Sequence, residues 1–341
     1  MIPQRQSGFS LIELIVALGL GAAVAVMLLD FAATSQRIAR LEPYAADLNQ
    51  RVRVAAASFE RDLRSAGAAS PHGPVGTLSG FLPPIQPART GASASDGELT
   101  AFADRISIVT PVDRPWVARL SEDVAHAGAE ISIHADDPGC PAGGLCGFAV
   151  GTRAAIIDTA RLGAGYDLFS VTDTAIGLGH AAPNPQLSKL YGAGTSVIVP
   201  VEQSVYYLDR AERRLMRYDG FRSALPLIDH VIDLRFAYFV DPHPASVAAP
   251  ADAAGNCAYG AGDPPRPLLL PLAAGTIVEM PLLRFTDGPF CGMAPNRFDA
   301  DLLRIRRVRV TLRLRAADAA VRDFEVTFDV APRNMVAPRE R

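Results

Sequence analysis

Residues 8–29 read GFSLIELIVALGLGAAVAVMLL, an apolar run from Phe9 to Leu29 interrupted by a single charge at Glu13. A helix of these twenty-one residues rises about 32 Å, enough to cross a hydrocarbon core of about 30 Å. The polar leader MIPQRQSG precedes it. A secretory signal peptide has a shorter apolar region followed by a small-residue cleavage site. Here the small residue, Gly8, comes before the run. Cleavage after Gly8 would discard the leader and keep the helix.

Glu13 needs a reason to be there. A carboxylate inside an apolar span costs several kcal/mol, roughly, unless it is paired or protonated. It either lies shallow enough to reach the interface or has a partner. Cutting after Gly8 supplies one, because it creates a positive amine on Phe9 at similar depth. That amine can neutralise Glu13 of its own chain or of a neighbour.

Beyond Leu29 the helical pattern continues and turns amphipathic. Leu48, Val52, Ala55, Phe59, Leu63 and Ala66 recur at three- and four-residue steps, which makes one apolar stripe. Asp47, Arg51, Arg53, Glu60, Arg61 and Arg64 occupy the other face. Gly67 is the expected stop and Pro43 the expected bend. The first half of this helix has no soluble partner within the chain, and the second half is expected to pack on the chain's own body. A protruding apolar helix can bury itself in lipid or among copies of neighbours, and head-to-tail contacts that do not close build filaments. The plainer alternative is a membrane tether for a separate domain.

The rest reads mostly as strand, so the fold class is α+β: a long N-terminal transmembrane and amphipathic helix packed on an antiparallel β-rich domain. Residues 70–97 read as a Pro/Gly-rich surface excursion, and Asp241–Pro267 as a second one. Short β-type runs are expected at Ile106–Thr110, Ala154–Asp158, Leu168–Thr172 and Thr195–Val201. A hairpin is expected from Ser204–Leu208 and Leu215–Tyr218. Ile228–Val240 reads as one half-buried strand with its even positions apolar and His230 as the exception. Near the end, Arg307, Arg309, Thr311, Arg313 and Arg315 alternate with Val308, Val310, Leu312 and Leu314. Asp323, Glu325, Thr327 and Asp329 alternate with Phe324, Val326, Phe328 and Val330. These two patterns predict an antiparallel hairpin with Arg315 facing Asp323, Arg313 facing Glu325 and Arg309 facing Asp329. Read alone, the arginine stripe resembles a nucleic-acid strip. Beside the acidic stripe it is neutralised, and nucleic acid is not an expected partner.

The 341 residues carry a net charge of −3, which gives no global pull toward a polyanion. The cysteines are Cys140, Cys146, Cys257 and Cys291, with no C-x-x-C pair. Their even number in loop-like surroundings suits two disulfides in an oxidising compartment. Cys140–Cys146 with Cys257–Cys291 is the simplest of three possible pairings. His134, Asp136 and Asp137 beside Cys140, and Asp252 with Asn256, are the densest polar groups, and a turn or loop reading outweighs a metal site at each. Trp116, the only tryptophan, reads as a partly buried anchor. No G-x-S-x-G elbow, phosphate loop, dinucleotide fingerprint or H-E-x-x-H occurs. No cofactor and no catalysis are expected.

The run Gly8-Phe9-Ser10-Leu11-Ile12-Glu13-Leu14-Ile15-Val16-Ala17 resembles the class III leader shared by type IV prepilins and type II secretion pseudopilins. The resemblance implies cutting between Gly8 and Phe9 by the prepilin peptidase, N-methylation of Phe9, and Glu13 as the assembly glutamate. It divides the chain into a leader at 1–8, a transmembrane helix at 9–29, an amphipathic continuation at 30–67 and a periplasmic body at 68–341. The body resembles PilW-type minor pilins through Arg61–Gly67, Ala154–Thr172, Ser204–Tyr218, Ile228–Asp241, the closing arginine-rich strand and Ala331-Pro332-Arg333-Asn334. The inserts at 70–97 and 241–300 depart from a compact version. The implied partners are the prepilin peptidase, other major and minor pilins, the inner-membrane assembly platform and the lipid bilayer. The implied location is the inner membrane, single-pass, with a periplasmic body that then enters a filament. A minor pseudopilin of a type II secretion system fits the same leader. A tethered periplasmic enzyme or adhesin is the alternative of a different class.

Overall fold

The computed structural model describes residues 10–68, 78, 81–92, 95–112, 116–134, 140, 145–160, 163–174, 179–181, 186–242, 257, 259–260, 266–269, 272, 276–316, 318 and 321–335. Helix α1 spans Leu11–Ser65, 55 residues, or about 82 Å at the α-helical rise. Pro43 lies inside it without ending it. Ala66 closes the last turn, and Gly67 leaves it in the left-handed region at φ 72°, where glycine carries no Cβ penalty.

The body strands are β1 Ile85–Gln86, β2 Arg105–Pro111, β3 Ala118–Arg119, β4 Arg153–Asp158, β5 Tyr166–Asp173, β6 Gly179–Ala181, β7 Ser196–Asp209, β8 Arg214–Tyr218, β9 Ala224–Asp229, β10 Val231–Val240, β11 Tyr259–Gly260, β12 Arg266–Pro267, β13 Val278–Met280, β14 Phe290–Cys291, β15 Phe298–Asp299, β16 Ile305–Leu314 and β17 Phe324–Val330. Strands β1–β9 form one antiparallel sheet organised on β7. Its first half pairs with β3 and β4, and its second half with β2 and β8. A second sheet runs β13-β10-β16-β17. β11 with β12, and β14 with β15, are separate two-stranded pairs.

The C-terminal half of α1 joins the two sheets. Phe59 is fully buried, with its ring 4.5 Å from Tyr206 in the first sheet and 5.6 Å from Phe236 in the second. All six expected stripe residues from Leu48 to Ala66 are buried. A second core lies on the opposite face of β4, β5 and β7, where Ile156, Phe169 and Ile198 meet Leu120, Ile133 and Tyr191. Those strands are therefore buried on both faces, which explains their nearly continuous apolar runs.

The β16–β17 register matches the expectation, with Arg309 opposite Asp329 and Arg313 opposite Glu325. Val308, Val310, Leu312 and Leu314 are fully buried beneath. The side chains regroup slightly. Arg309 and Arg315 each form two hydrogen bonds, to Asp329 and Asp323 respectively, while Arg313 reaches Asp323 at 3.8 Å rather than its facing Glu325.

Three expectations are corrected. The runs at Thr195–Val201 and Ser204–Leu208 belong to one strand, β7, because Glu202 is merely a solvent-facing residue within it. The single strand expected at Ile228–Val240 is two, β9 and β10, broken at His230, whose φ is 65°. A register shift between Val231 and Asp233 then places Val231, not Ile232, in the core. Within the first excursion, Leu82, Ile85 and Ala88 are buried, because β1 adds to the edge of β2 with Ile85 opposite Ile108. Residues 243–256 of the second excursion lie outside the described residues.

Candidate functional site

The candidate site lies on the exposed N-terminal half of α1. An 18-residue window of α1 has a mean hydropathy of 2.5 and none of it is buried, so this segment is long and apolar enough to cross a membrane. Leu11, Ile12, Leu18, Met27, Leu29 and Phe31 are all exposed, with nothing of the body against them.

Ser10 begins the helix. Its side chain accepts a hydrogen bond from the Glu13 backbone N–H at 3.2 Å, and the Glu13 carboxylate accepts one from the Ser10 N–H at 3.2 Å. This reciprocal capping box satisfies two N–H groups that a helix start otherwise leaves open. It also folds the Glu13 carboxylate back toward the N-terminal side, one residue short of Phe9. Ser10 was missed as the helix cap, although S-x-x-E at 10–13 is a helix-start signature. Gly8 and Phe9 lie outside the described residues.

At its other end the helix is locked to the body by a buried acid. Asp62 is within the stripe, with only 7% of its side chain exposed. It accepts hydrogen bonds from the Tyr206 hydroxyl at 2.7 Å, Arg61 Nε at 3.0 Å and Arg217 Nη2 at 3.2 Å. Arg217 also donates to Ser204 Oγ at 2.9 Å. Burial, and then the negative charge of Asp62, push the Tyr206 hydroxyl well above the ordinary tyrosine range. The tyrosine therefore stays a donor. Backbone bonds add to this lock. The Gly67 N–H donates to the Val109 carbonyl at 3.1 Å, and the Arg333 N–H donates to the Arg64 carbonyl at 3.2 Å.

The four cysteines are joined as Cys140–Cys146 and Cys257–Cys291, with Cα separations of 4.7 and 5.1 Å. The second bridge ties Cys257 of the distal insert to β14 and packs against the loop between β4 and β5. Gly163 there has φ 75°, a side chain at that position would run into Cys257 Sγ, and its carbonyl accepts from Gly292 N–H at 3.0 Å.

A cleft of about 410 Å³ opens between residues 86–92 and 95–100, strands β4 and β5, and residues 295–299 with Leu302. Much of its polar lining is already engaged. Asp96 pairs with Arg89 and Arg105, Gln203 bonds Thr90, and Asn296 bonds Asp167. Burial raises Asp299 in its lining to about 6, although its carboxylate accepts from Asp301 and Gly288 N–H groups. Trp116 is half-buried against Phe148, their rings 5.7 Å apart. Among the described residues no three or more His, Cys, Asp or Glu side chains gather as a metal site. His134 is exposed, while Asp136, Asp137, Asp252 and Asn256 lie outside the described residues.

No curated protein and no solved structure matches the chain. Residues 3–29 match a family model described as the prokaryotic N-terminal methylation motif. That match covers most of the leader, Gly8, Phe9 and Glu13 together with the apolar helix to Leu29, and it supports a type IV pilin-like or pseudopilin-like protein made as a precursor with a class III leader.

Proposed function

We propose that this chain is a minor pilin of the PilW type, a structural subunit rather than an enzyme. The prepilin peptidase cuts after Gly8, and Phe9 becomes the methylated first residue. Residues 9–29 hold the chain in the inner membrane with the body on the periplasmic side until the assembly platform moves it into a filament beside major and minor pilins. There it completes or primes the polymer.

The observation that carries this reading is the division of α1. One half is buried against two sheets, and the other is bare, apolar and headed by a carboxylate. A lone carboxylate among packed apolar helices is costly. The amine released at Phe9 supplies the counter-charge, and the capping box already turns Glu13 toward that end. The body carries the identity of the subunit, and the helix carries its incorporation.

Mass spectrometry of the mature N-terminus tests the processing step, and a chain beginning with methylated Phe9 is expected. Glu13→Ala tests the insertion step: the protein should remain membrane-bound and cleaved but be largely missing from sheared filaments. A protein that still begins at Met1, or a Glu13→Ala variant that enters filaments normally, rejects the proposal.

A further inference from the structure

The cleft in the body has no part in helix-borne assembly, and its floor is one face of the first sheet. Phe169 and Val171 of β5, with Ala154 and Ile156 of β4, belong to the second core. Side chains alternate along a strand, so Leu168 and Ser170 of β5 and Arg153 of β4 face the other way, into the cleft. Arg153 and Ser170 are register partners, which puts their Cβ atoms about 5 Å apart. Val201 and Gln203 of β7 extend the floor.

Polar groups on this floor have unused hydrogen-bonding capacity. Ser170 is 4% exposed, and its hydroxyl has no partner among the described residues. The Gln203 side-chain amide donates to Thr90 Oγ1 at 2.6 Å and to the Thr90 carbonyl at 3.1 Å, while its Oε1 accepts from none of the described residues. Arg153 meets Asp219 at 3.0 Å and keeps further N–H donors, because the planar guanidinium has more than that pair occupies. A cleft of this size, mostly apolar with a few convergent polar groups, has the usual form of a small-molecule site. Its wall is fastened in place: the Thr90 N–H donates to Ser107 Oγ at 2.9 Å, and the Ala92 N–H to the Gly220 carbonyl at 3.0 Å. Leu99 in the same wall has φ 54°. That is strain for a side chain of its size, and such strain gathers at ligand sites.

We propose that this cleft binds an uncharged saccharide of about one or two rings, held across Ser170, Arg153 and Gln203. The inference goes beyond the subunit reading and does not depend on it, since the cleft lies wholly in the body. Charge selects against an ion. Arg89, Arg153 and Arg297 in the lining face Asp96, Glu98 and Asp299, so neither sign prevails. Arg89 is bound to Asp96 and Arg153 to Asp219, and Glu98 and Arg297 stand exposed. Backbone pairing selects against a peptide strand. β4, β5 and β7 are each paired on both edges, so the floor offers no open main chain to extend. Sugar hydroxyls both donate and accept without carrying charge. They can donate to Gln203 Oε1 and accept from Arg153, with Ser170 doing either, while the C–H face of the ring lies against Leu168, Val201 and Phe221.

Titration of the full chain by ligand-detected NMR, in a detergent without a sugar headgroup, tests the assignment. The probes are maltose, lactose and di-N-acetylchitobiose, with sialyllactose and trialanine as charged and peptide comparisons. At least one neutral disaccharide should bind at a single site with a Kd of about 1 mM or tighter. Ser170→Ala and Gln203→Leu should each weaken it roughly tenfold, the loss of one hydrogen bond. Leu99→Gly should lower affinity while leaving the urea midpoint unchanged or higher, a split that a merely structural leucine would not give. No response to any neutral disaccharide at about 10 mM overturns the proposal. So does tighter binding of sialyllactose or trialanine, or binding that survives the Ser170→Ala, Gln203→Leu pair in a folded chain. Should those floor variants fail to fold, Leu99→Gly decides, and unchanged affinity there overturns it.

Discussion

The Tyr206 hydroxyl donates a 2.7 Å hydrogen bond to Asp62 Oδ2 across the interface between the spine helix and β7. The two residues are 144 positions apart in sequence, and Arg217 shares the same oxygen at 3.2 Å. Removing one partner of a buried charged pair is costly because the other is left uncompensated. Asp62→Ala should therefore lower stability by about 3–5 kcal/mol. Tyr206→Phe loses one hydrogen bond to a charged group and should cost about 1.5–3 kcal/mol. Urea melts of the two variants in detergent check the ranking, and a Tyr206→Phe effect larger than that of Asp62→Ala would contradict it.

The two disulfides close loops of unequal length, with sequence separations of 6 and 34. By chain entropy, their loss should cost roughly 2 and 4 kcal/mol respectively. Cys257→Ser with Cys291→Ser should thus destabilise more than Cys140→Ser with Cys146→Ser. The former should also expose Gly163 and the β4–β5 loop to faster hydrogen exchange.

Acid affects the body in two directions. Burial raises Asp299 to about 6 and also raises Asp167 and Asp301. A carboxyl raised on folding binds its proton more tightly in the folded state, so its contribution to stability grows as pH falls from about 6 toward the unfolded value near 4. Asp104 and Asp219 are lowered, with hydrogen bonds outweighing the desolvation that opposes them, from Arg105 and Arg210 for Asp104 and from three backbone N–H groups and Arg153 for Asp219. Their contribution is lost as pH falls further. The melting temperature should rise between pH 7 and pH 5 and fall below about pH 4. Asp299→Asn should flatten the upper limb, and an unchanged slope there would remove Asp299 as its source.

The charged face of β16 and β17 should matter less than what lies beneath it. Asp329→Ala removes the half-exposed partner of Arg309 and should cost no more than about 1 kcal/mol. Leu312→Ala beneath it should cost about 2–5 kcal/mol. Paired denaturant melts compare them directly.

The apolar stripe of α1 and the β16–β17 register were legible because both are written in short periods, and complementary charges fixed the second. What escaped depends on partners far away. Asp62 interrupts an apolar stripe, and nothing near it in sequence points to Tyr206 or Arg217. The break at His230 was hidden because the even positions on both sides of it are apolar, so a strand that changes phase looked continuous. Leu82 and Ile85 were hidden by the prolines and glycines around them, although β2 needed an edge partner. At the candidate site, Glu13 was conspicuous as a charge in apolar surroundings. Ser10 was overlooked, since its role lies in helix-end geometry rather than in charge.

The Gly67–Val109 backbone bond ties the end of α1 to β2 of the first sheet, and the Arg333–Arg64 bond ties it to the segment that follows β17 of the second. A pull along α1 is therefore carried in parallel by the two sheets, and Phe59 and Asp62 would have to slide together before either could give way. The joint is loaded in shear rather than peeled strand by strand.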